Sequence, residues 1–224
     1  MVNRPTWFLA PCGSYCMNPR PLFFLFIFFP FHLLVSQKII EKTYVNPEIG
    51  AVNIDAAQFF ELSVETSAGD EMIIEATIDG EYRKDLLLRV TEEGHTIFVG
   101  SDFQPNFSNP NDKLSAHKVI SIQVRMVLPR YKDVVIYGQS CNVKVQGIYS
   151  DLSVSLNDGQ CILYEVSESA SVQTQSGNIF VHTSKAKIRS INKYGKIFKD
   201  DIQVGDDHFL LNTVTGNIFL RKTE

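Results

Sequence analysis

Apolar and polar residues alternate along most of the chain from Gln37 onward. Phe60, Leu62 and Val64 alternate with Glu61, Ser63 and Glu65, and Ile120, Ile122, Val124, Met126 and Leu128 form a longer run of the same kind. A period of two sends successive side chains to opposite faces of a strand, so each run predicts a strand with one buried face and one wet face. Further strands are predicted at Ile39–Val45, Met72–Ile78, Leu86–Val90 and Thr96–Val99, separated by the turn signals Ala68-Gly69-Asp70, Asp79-Gly80 and Glu93-Gly94. No stretch after residue 37 sustains a 3.6-residue apolar period with helix caps, so the expected class is all-β with no significant helix. Ser101–Ala116, rich in Asn, Pro and Ser, is expected to be a surface loop, and Asn106-Phe107-Ser108 within it matches a glycosylation acceptor.

Over the C-terminal part the alternation becomes a repeat. Gly138, Gly159, Gly177, Gly195 and Gly216 recur at spacings of 21, 18, 18 and 21 residues. Four of them open similar segments: Gly-Gln-Cys-Ile-Leu at 159–163, Gly-Asn-Ile-Phe-Val at 177–181, Gly-Lys-Ile-Phe-Lys at 195–199 and Gly-Asn-Ile-Phe-Leu at 216–220. A glycine turn with positive φ followed by a strand explains the pattern, with the second residue after Gly (Cys161, Ile179, Ile197, Ile218) pointing inward. Repeats of about 20 residues with two or three short strands are the size of one β-solenoid coil. Successive coils would stack ~4.8 Å apart and align the inward residues in a ladder. The alternative is an antiparallel sandwich whose turns happen to recur; the repeated Gly-Asn-Ile-Phe favours the solenoid. The expected architecture is a single-domain β-solenoid over residues 37–224 with coils of 18–21 residues, clearest in 131–224. If the residue two after Gly faces inward, Phe180, Phe198 and Phe219 face outward. There they form an apolar stripe for a sugar or a partner sheet, unless another layer or a terminal segment covers them.

The front of the chain has a different character. Leu22–Val35 is a fourteen-residue uncharged run interrupted by Pro30, with Met17-Asn18-Pro19-Arg20 before it. A membrane-spanning helix needs about 20 apolar residues, so the run has the length of a signal-peptide hydrophobic region behind a short basic segment. The expectation is a signal peptide over 1–36, with Met17 as the true start and cleavage between Ser36 and Gln37; an uncleaved N-terminal anchor is the alternative. Export follows, to the periplasm, outer surface or medium, with no stable transmembrane anchor after cleavage. Net charge points away from nucleic acid: from Gln37 onward 19 basic residues face 25 acidic ones. The same segment retains two cysteines, Cys141 and Cys161. They lie about one repeat apart and stack on neighbouring coils if the turn near Gln139-Ser140 carries a one-residue insertion. They are then either a disulfide or a pair of buried free thiols.

In several particulars the chain resembles the auto-transporter adhesin "head GIN" domains and related adhesin-like β-strand-repeat domains. The residues that carry the resemblance are Ser176–Val181 and Thr215–Leu220, the opening Val52–Asp55 with Phe60–Val64, the turn and strand Glu93–Phe98, and Val127-Leu128-Pro129 at the entry to the repeats. The resemblance spans roughly 40–224 and implies an exported bacterial β-solenoid without catalytic residues. The 101–116 loop and the two cysteines depart from that pattern.

Candidate chemistry is sparse. His95, His117, His182 and His208 lack the paired spacing of a zinc site. Asp200, Asp201, Asp206 and Asp207 flank Val204-Gly205 as an acidic pair of pairs, but without the strict nonapeptide spacing of calcium repeats. No nucleophile elbow, His-Glu-x-x-His or phosphate loop occurs. No catalytic, cofactor or metal residue is therefore assigned. The favoured function is a non-catalytic exported envelope or surface protein whose solenoid is a binding or scaffold surface for an envelope protein or a glycan. The alternative is a polysaccharide lyase or hydrolase on the same fold, with the Asp200–Asp207 cluster as its acids.

Overall fold

Residues 37–80, 83–106 and 120–223 are described by the computed structural model, and among them all regular structure is strand. The expected signal peptide, His117 and most of the 101–116 loop lie outside the described residues. The strands are β1 (Lys38–Tyr44), β2 (Ala51–Ala56), β3 (Glu61–Ser67), β4 (Met72–Gly80), β5 (Leu86–Glu93), β6 (Thr96–Phe103), β7 (Ile120–Pro129) and β8 (Asp133–Ser140). They continue as β9 (Asn142–Asp158), β10 (Gln160–Thr174), β11 (Asn178–Thr183), β12 (Lys185–Asn192), β13 (Ile197–Lys199), β14 (Gln203–Thr213) and β15 (Ile218–Lys222). The described chain is all-β, as the alternation predicts. Boundaries move: β4 runs on through Gly80 and β5 through Glu93, into residues expected as turns, and β6 runs on through Phe103, where Ser101, Asp102 and Phe103 pair with Leu88, Leu87 and Leu86 of β5.

The strands form two ladders. The first runs β5, β6, β2, β8, the second half of β9, the second half of β10, β14 and β12. The second runs β1, β4, β7, β3, the first half of β9, the first half of β10, β11, β15 and β13. Antiparallel pairs begin both ladders, and from β6 and from β7 onward every pairing is parallel. Inward residues of one ladder meet those of the other in a single core: Val134, Ile136, Leu152 and Val154 on one side, Leu62, Val64, Val143, Leu163 and Ile179 on the other, all essentially inaccessible. Burying an aliphatic side chain of this size stabilises by ~1.5–3 kcal/mol, so this core dominates the favourable side of folding.

The register advances by eighteen residues per coil, as in Asp133 beside Asp151 and Val143 beside Cys161 beside Ile179. Sequence order then fails. The coil made by β14 and β15 is inserted between the β10–β11 coil and the β12–β13 coil, so that Ile179 pairs with Ile218 and Ile218 with Ile197. Asparagine side chains follow this order. The Asn178 Oδ1 accepts the Asn217 N–H at 2.8 Å, and Asn217 Oδ1 accepts the Lys196 N–H at 2.9 Å. Lys196, on the last described coil, has no side-chain acceptor to pass on.

The repeat glycines also need a corrected reason. Only Gly159 has positive φ, at 96°, so backbone conformation does not select the other four. At Gly177, Gly216 and Gly195 a Cβ would collide with the carbonyl oxygen of the stacked glycine on the coil beside it, Gly159, Gly177 and Gly216 respectively. Close approach selects glycine there. Gly138 is not in this stack. It pairs with Ala56 and Leu156 inside the first ladder and leaves room for the Leu156 side chain. The place below Gly159 is taken by Cys141, whose backbone a Gly159 Cβ would strike.

Candidate binding surface

Where the second ladder faces solvent, outward side chains line up in rows across the coils. The middle row holds Lys144, Ile162, Phe180, Phe219 and Phe198. Phe180 and Phe219 stack with centroids 4.6 Å apart and planes 6° from parallel; Phe219 and Phe198 follow at 4.8 Å and 5°. Strand spacing sets that separation, and the rings consume one another's faces. Their edges point outward. A sugar packs its C–H groups on a ring face, so Phe219, stacked on both sides, offers none, and Phe180 and Phe198 each keep one face outside the stack. The next row holds Gln146, Tyr164, His182 and Arg221, with the Tyr164 and His182 rings 5.7 Å apart and tilted by 40°. Tyr164 is exposed and lines the adjoining groove.

Two shallow grooves flank the middle row. One of about 310 Å³ lies between Ser63, Glu65, Lys144, Gln146, Ile162 and Tyr164. The other, about 300 Å³, lies between Phe60, Glu61, Asn142, Gln160 and Ile162. Lys144 lines both grooves, and its ion-pair partner Glu61, at 2.6 Å, lines the second. The surface is therefore mixed: an exposed tyrosine, amides and a charged pair beside an aromatic stack.

Cys161, Ile179 and Ile218 are inward and buried; Ile197 shares their register beside Ile218 but is 43% exposed. Ile197 lies on β13, whose outer side has no further described strand. A second feature was not anticipated from sequence. Three residues before each of the stacked glycines 177, 216 and 195 stand Thr174, Thr213 and Asn192. The Thr174 hydroxyl donates to Gly177 O at 2.7 Å and lies 2.8 Å from the Thr213 hydroxyl, which accepts the Gly216 N–H at 3.2 Å. Asn192 donates to Gly216 O at 2.9 Å and accepts the Gly195 N–H at 2.6 Å. These polar residues satisfy the corner backbone, which is why they are tolerated in the interior. The polar residue at a constant offset from glycine was the available signal.

Cys141 and Cys161 are buried and free. The expected stacking of one on the other is not found: Cys161 pairs with Val143, which leaves Cys141 two residues out of register in the place of a glycine. No one-residue insertion is made, because the strand length is kept by moving the glycine alignment from Gly138 to Cys141. Burial pushes both thiols up to about 12, helped by Glu61 at Cys141 and by Cys141 at Cys161. An unfolded thiol ionises near its ordinary value of 9.0. The stability linked to these thiols is therefore intact below pH ~9 and falls as pH rises from 9 towards 12. Thermal unfolding is expected to drop steeply across that window, and less steeply in Cys161→Ala. Iodoacetamide should label neither thiol of the native protein at pH 8 and both after unfolding. Labelling of the native protein would contradict the assignment.

The remaining candidates are occupied by structural contacts. His95 Nδ1 lies 3.0 Å from Glu48 O, and His182 sits beside Tyr164. Asp200 is bound by Arg221 at 3.0 Å and by the Lys222 N–H at 3.2 Å, and Asp207 accepts the Glu168 N–H at 2.9 Å. Asp200 and Asp207 are thus engaged in backbone and ion-pair contacts. Among the described residues no group of three or more His, Cys, Asp or Glu side chains is placed to hold a metal ion.

No protein-family model matches the sequence, and no curated protein matches it. A solved structure does. The crystal structure of a "putative cell adhesion protein" from Clostridium sporogenes superimposes with a TM-score of 0.56 at 12% identity, over 83% of this chain and 100% of that one. The two chains share a fold. A "putative adhesin" from Bacteroides fragilis covers 84% of this chain and 99% of its own at 14% identity, but with a TM-score of 0.37 it carries no argument.

Proposed function

We propose that the chain is a non-catalytic, exported, adhesin-like protein whose stacked coils form a β-solenoid and whose outer face binds an envelope protein or a glycan. The observation that carries this reading is the ordered outer face of the second ladder, where Ile162, Tyr164 and the phenylalanine stack stand in register across consecutive coils beside two grooves. The solenoid form is supported by the eighteen-residue register and by the parallel pairing of every coil in the repeat region. The name of the Clostridium sporogenes protein supports the adhesin-like part through fold alone.

A glycan array probed with the labelled protein tests the reading. Binding to a restricted glycan set is expected, with at least about fivefold loss in Tyr164→Ala, since a stacked platform contributes of the order of 1–2 kcal/mol. Unfolding temperature should be unchanged, because the ring is exposed. Glycan binding that Tyr164→Ala leaves intact would sink the outer-face assignment, and an array without any hit would remove the glycan half of the proposal.

A further inference from the structure

The two ends of the stack are finished differently. At one end β5 is an edge strand, and the chain closes it with its own lysines: Lys38 donates to Leu86 O at 2.7 Å and Lys42 to Leu88 O at 3.4 Å. At the other end, among the described residues, β12 pairs only with β14, and β13 only with β15, so the outer edges of both strands carry backbone groups that no described strand pairs. Exposed on this last coil are Ile191, Tyr194, Ile197 and Phe198, Tyr194 to 70%. Lys185 to Lys199 also contains six cations, Lys185, Lys187, Arg189, Lys193, Lys196 and Lys199, and no acid. Overall net charge hides this concentration, because Gln37–Phe103 holds five cations against fourteen acids.

Among the described residues none of the six meets a carboxylate, whereas Arg89, Arg125, Lys144 and Arg221 each do. Lys193 lies over the Tyr194 ring, 5.1 Å from its centroid. An open parallel edge, apolar side chains at the core-facing register (Ile188 and Ile197) and unpaired cations at the outward register (Lys187 and Arg189) together specify an occupant. It must supply main-chain donors and acceptors, an apolar side facing the core and an acidic side facing solvent.

We infer that the β12–β13 coil is a docking edge for an acidic, extended polypeptide segment of a partner protein, which adds to the stack as a further parallel strand. A polyanionic glycan satisfies the cations but brings no row of peptide groups and no apolar side for Ile188 and Ile197. Strand addition satisfies all three features at once, with acids directly opposite Lys187 and Arg189 as cross-strand pairs. The chain already accepts a strand this way, since the β14–β15 coil is held between two others out of sequence order. The inference rests on the binding-scaffold reading but uses a different surface, so loss of glycan binding at Tyr164 leaves it standing.

The test uses the whole purified protein and a labelled nine-residue peptide of alternating glutamate and valine, followed by fluorescence anisotropy and by hydrogen exchange. Binding is expected, with slower exchange of the 185–199 amides and roughly tenfold weakening in Lys187→Glu/Lys196→Glu. Raising sodium chloride from about 50 to about 500 mM should weaken it similarly, because exposed charges are screened. A peptide with proline at every second apolar position should bind at least about tenfold more weakly, because its missing N–H groups break the ladder. Equal binding of that peptide would overturn strand pairing. So would capture of a heparin fragment in place of the acidic peptide, which would mean recognition by charge alone. No binding of either would leave the lysines as protection of an exposed edge, and a salt-sensitive dimer that excludes the peptide would make a second copy the occupant; both outcomes overturn the inference.

Discussion

Gly216→Ala is expected to destabilise the protein by ~3 kcal/mol or more, the upper range for forcing an extra methyl into packed structure. The added Cβ would meet the carbonyl oxygen and carbon of Gly177, and neither is the end of a flexible side chain that can swing aside. Thr213 Oγ1, only 2.8 Å from the same point, is held by the Gly216 N–H and by Thr174, so relief on that side breaks the corner network. The φ of Gly216 is not positive, and the whole effect is therefore close approach between coils. Gly100→Ala is the matched control, since its Cβ would make ordinary contact at 3.5 Å with Asp55 Cβ. Urea unfolding of both variants decides the matter. A loss at Gly216 no larger than the loss at Gly100 would mean that the coils yield, and that the glycine stack does not set their spacing.

Much of this architecture was legible because the physics behind it repeats every two residues and every coil. Alternation at 60–65 and 120–128 marked strands, and the recurrence around Gly159, Gly177 and Gly216 marked parallel stacking. What escaped was information carried by exceptions. The 21-residue gap after Gly138 looks like one long coil, yet the stacked position is Cys141, eighteen residues before Gly159. The strand beneath Cys141 is β3, where the Asn142 N–H donates to Phe60 O and Asn142 pairs with Glu61, and it does not continue the glycine stack. Coil order escaped as well, because the near-identity of 177–180 and 216–219 signals kinship but not adjacency. Lysine in place of asparagine at 196 falls on the last described coil, a difference meaningful only once the Asn178–Asn217 ladder is known. On the candidate surface, the outward row of Phe180, Phe198 and Phe219 follows from alternation. Its loss of free ring faces follows only from the 4.6 and 4.8 Å stacking.

If the coils form a solenoid, removing one whole coil should leave a folded protein, and removing half a coil should not. Deletion of Asp151–Glu168 takes out eighteen residues: the second half of β9 and the first half of β10. It joins Ser150 to Ser169, which occupies the register position of Asp151 and of Asp133. Ile179 then falls beside Val143, the position Cys161 held, and Ala170 beside Val134, so both ladders close over the gap with apolar residues facing inward. The corner at Gly147 survives, including buried Tyr149, whose hydroxyl reaches Val64 O at 3.1 Å and Gln146 O at 3.0 Å. Stability in such arrays is close to a sum of coil and interface contributions, so the shortened protein should melt cooperatively at a lower temperature with its β circular dichroism retained. Deletion of Gln160–Glu168 alone joins Gly159 to Ser169 and sends a strand of the first ladder where the second ladder needs one. Every later side chain is then out of phase with its neighbour, and no cooperative transition is expected. Equal damage from the two deletions would refute independent stacking coils and return the molecule to a sandwich whose turns recur.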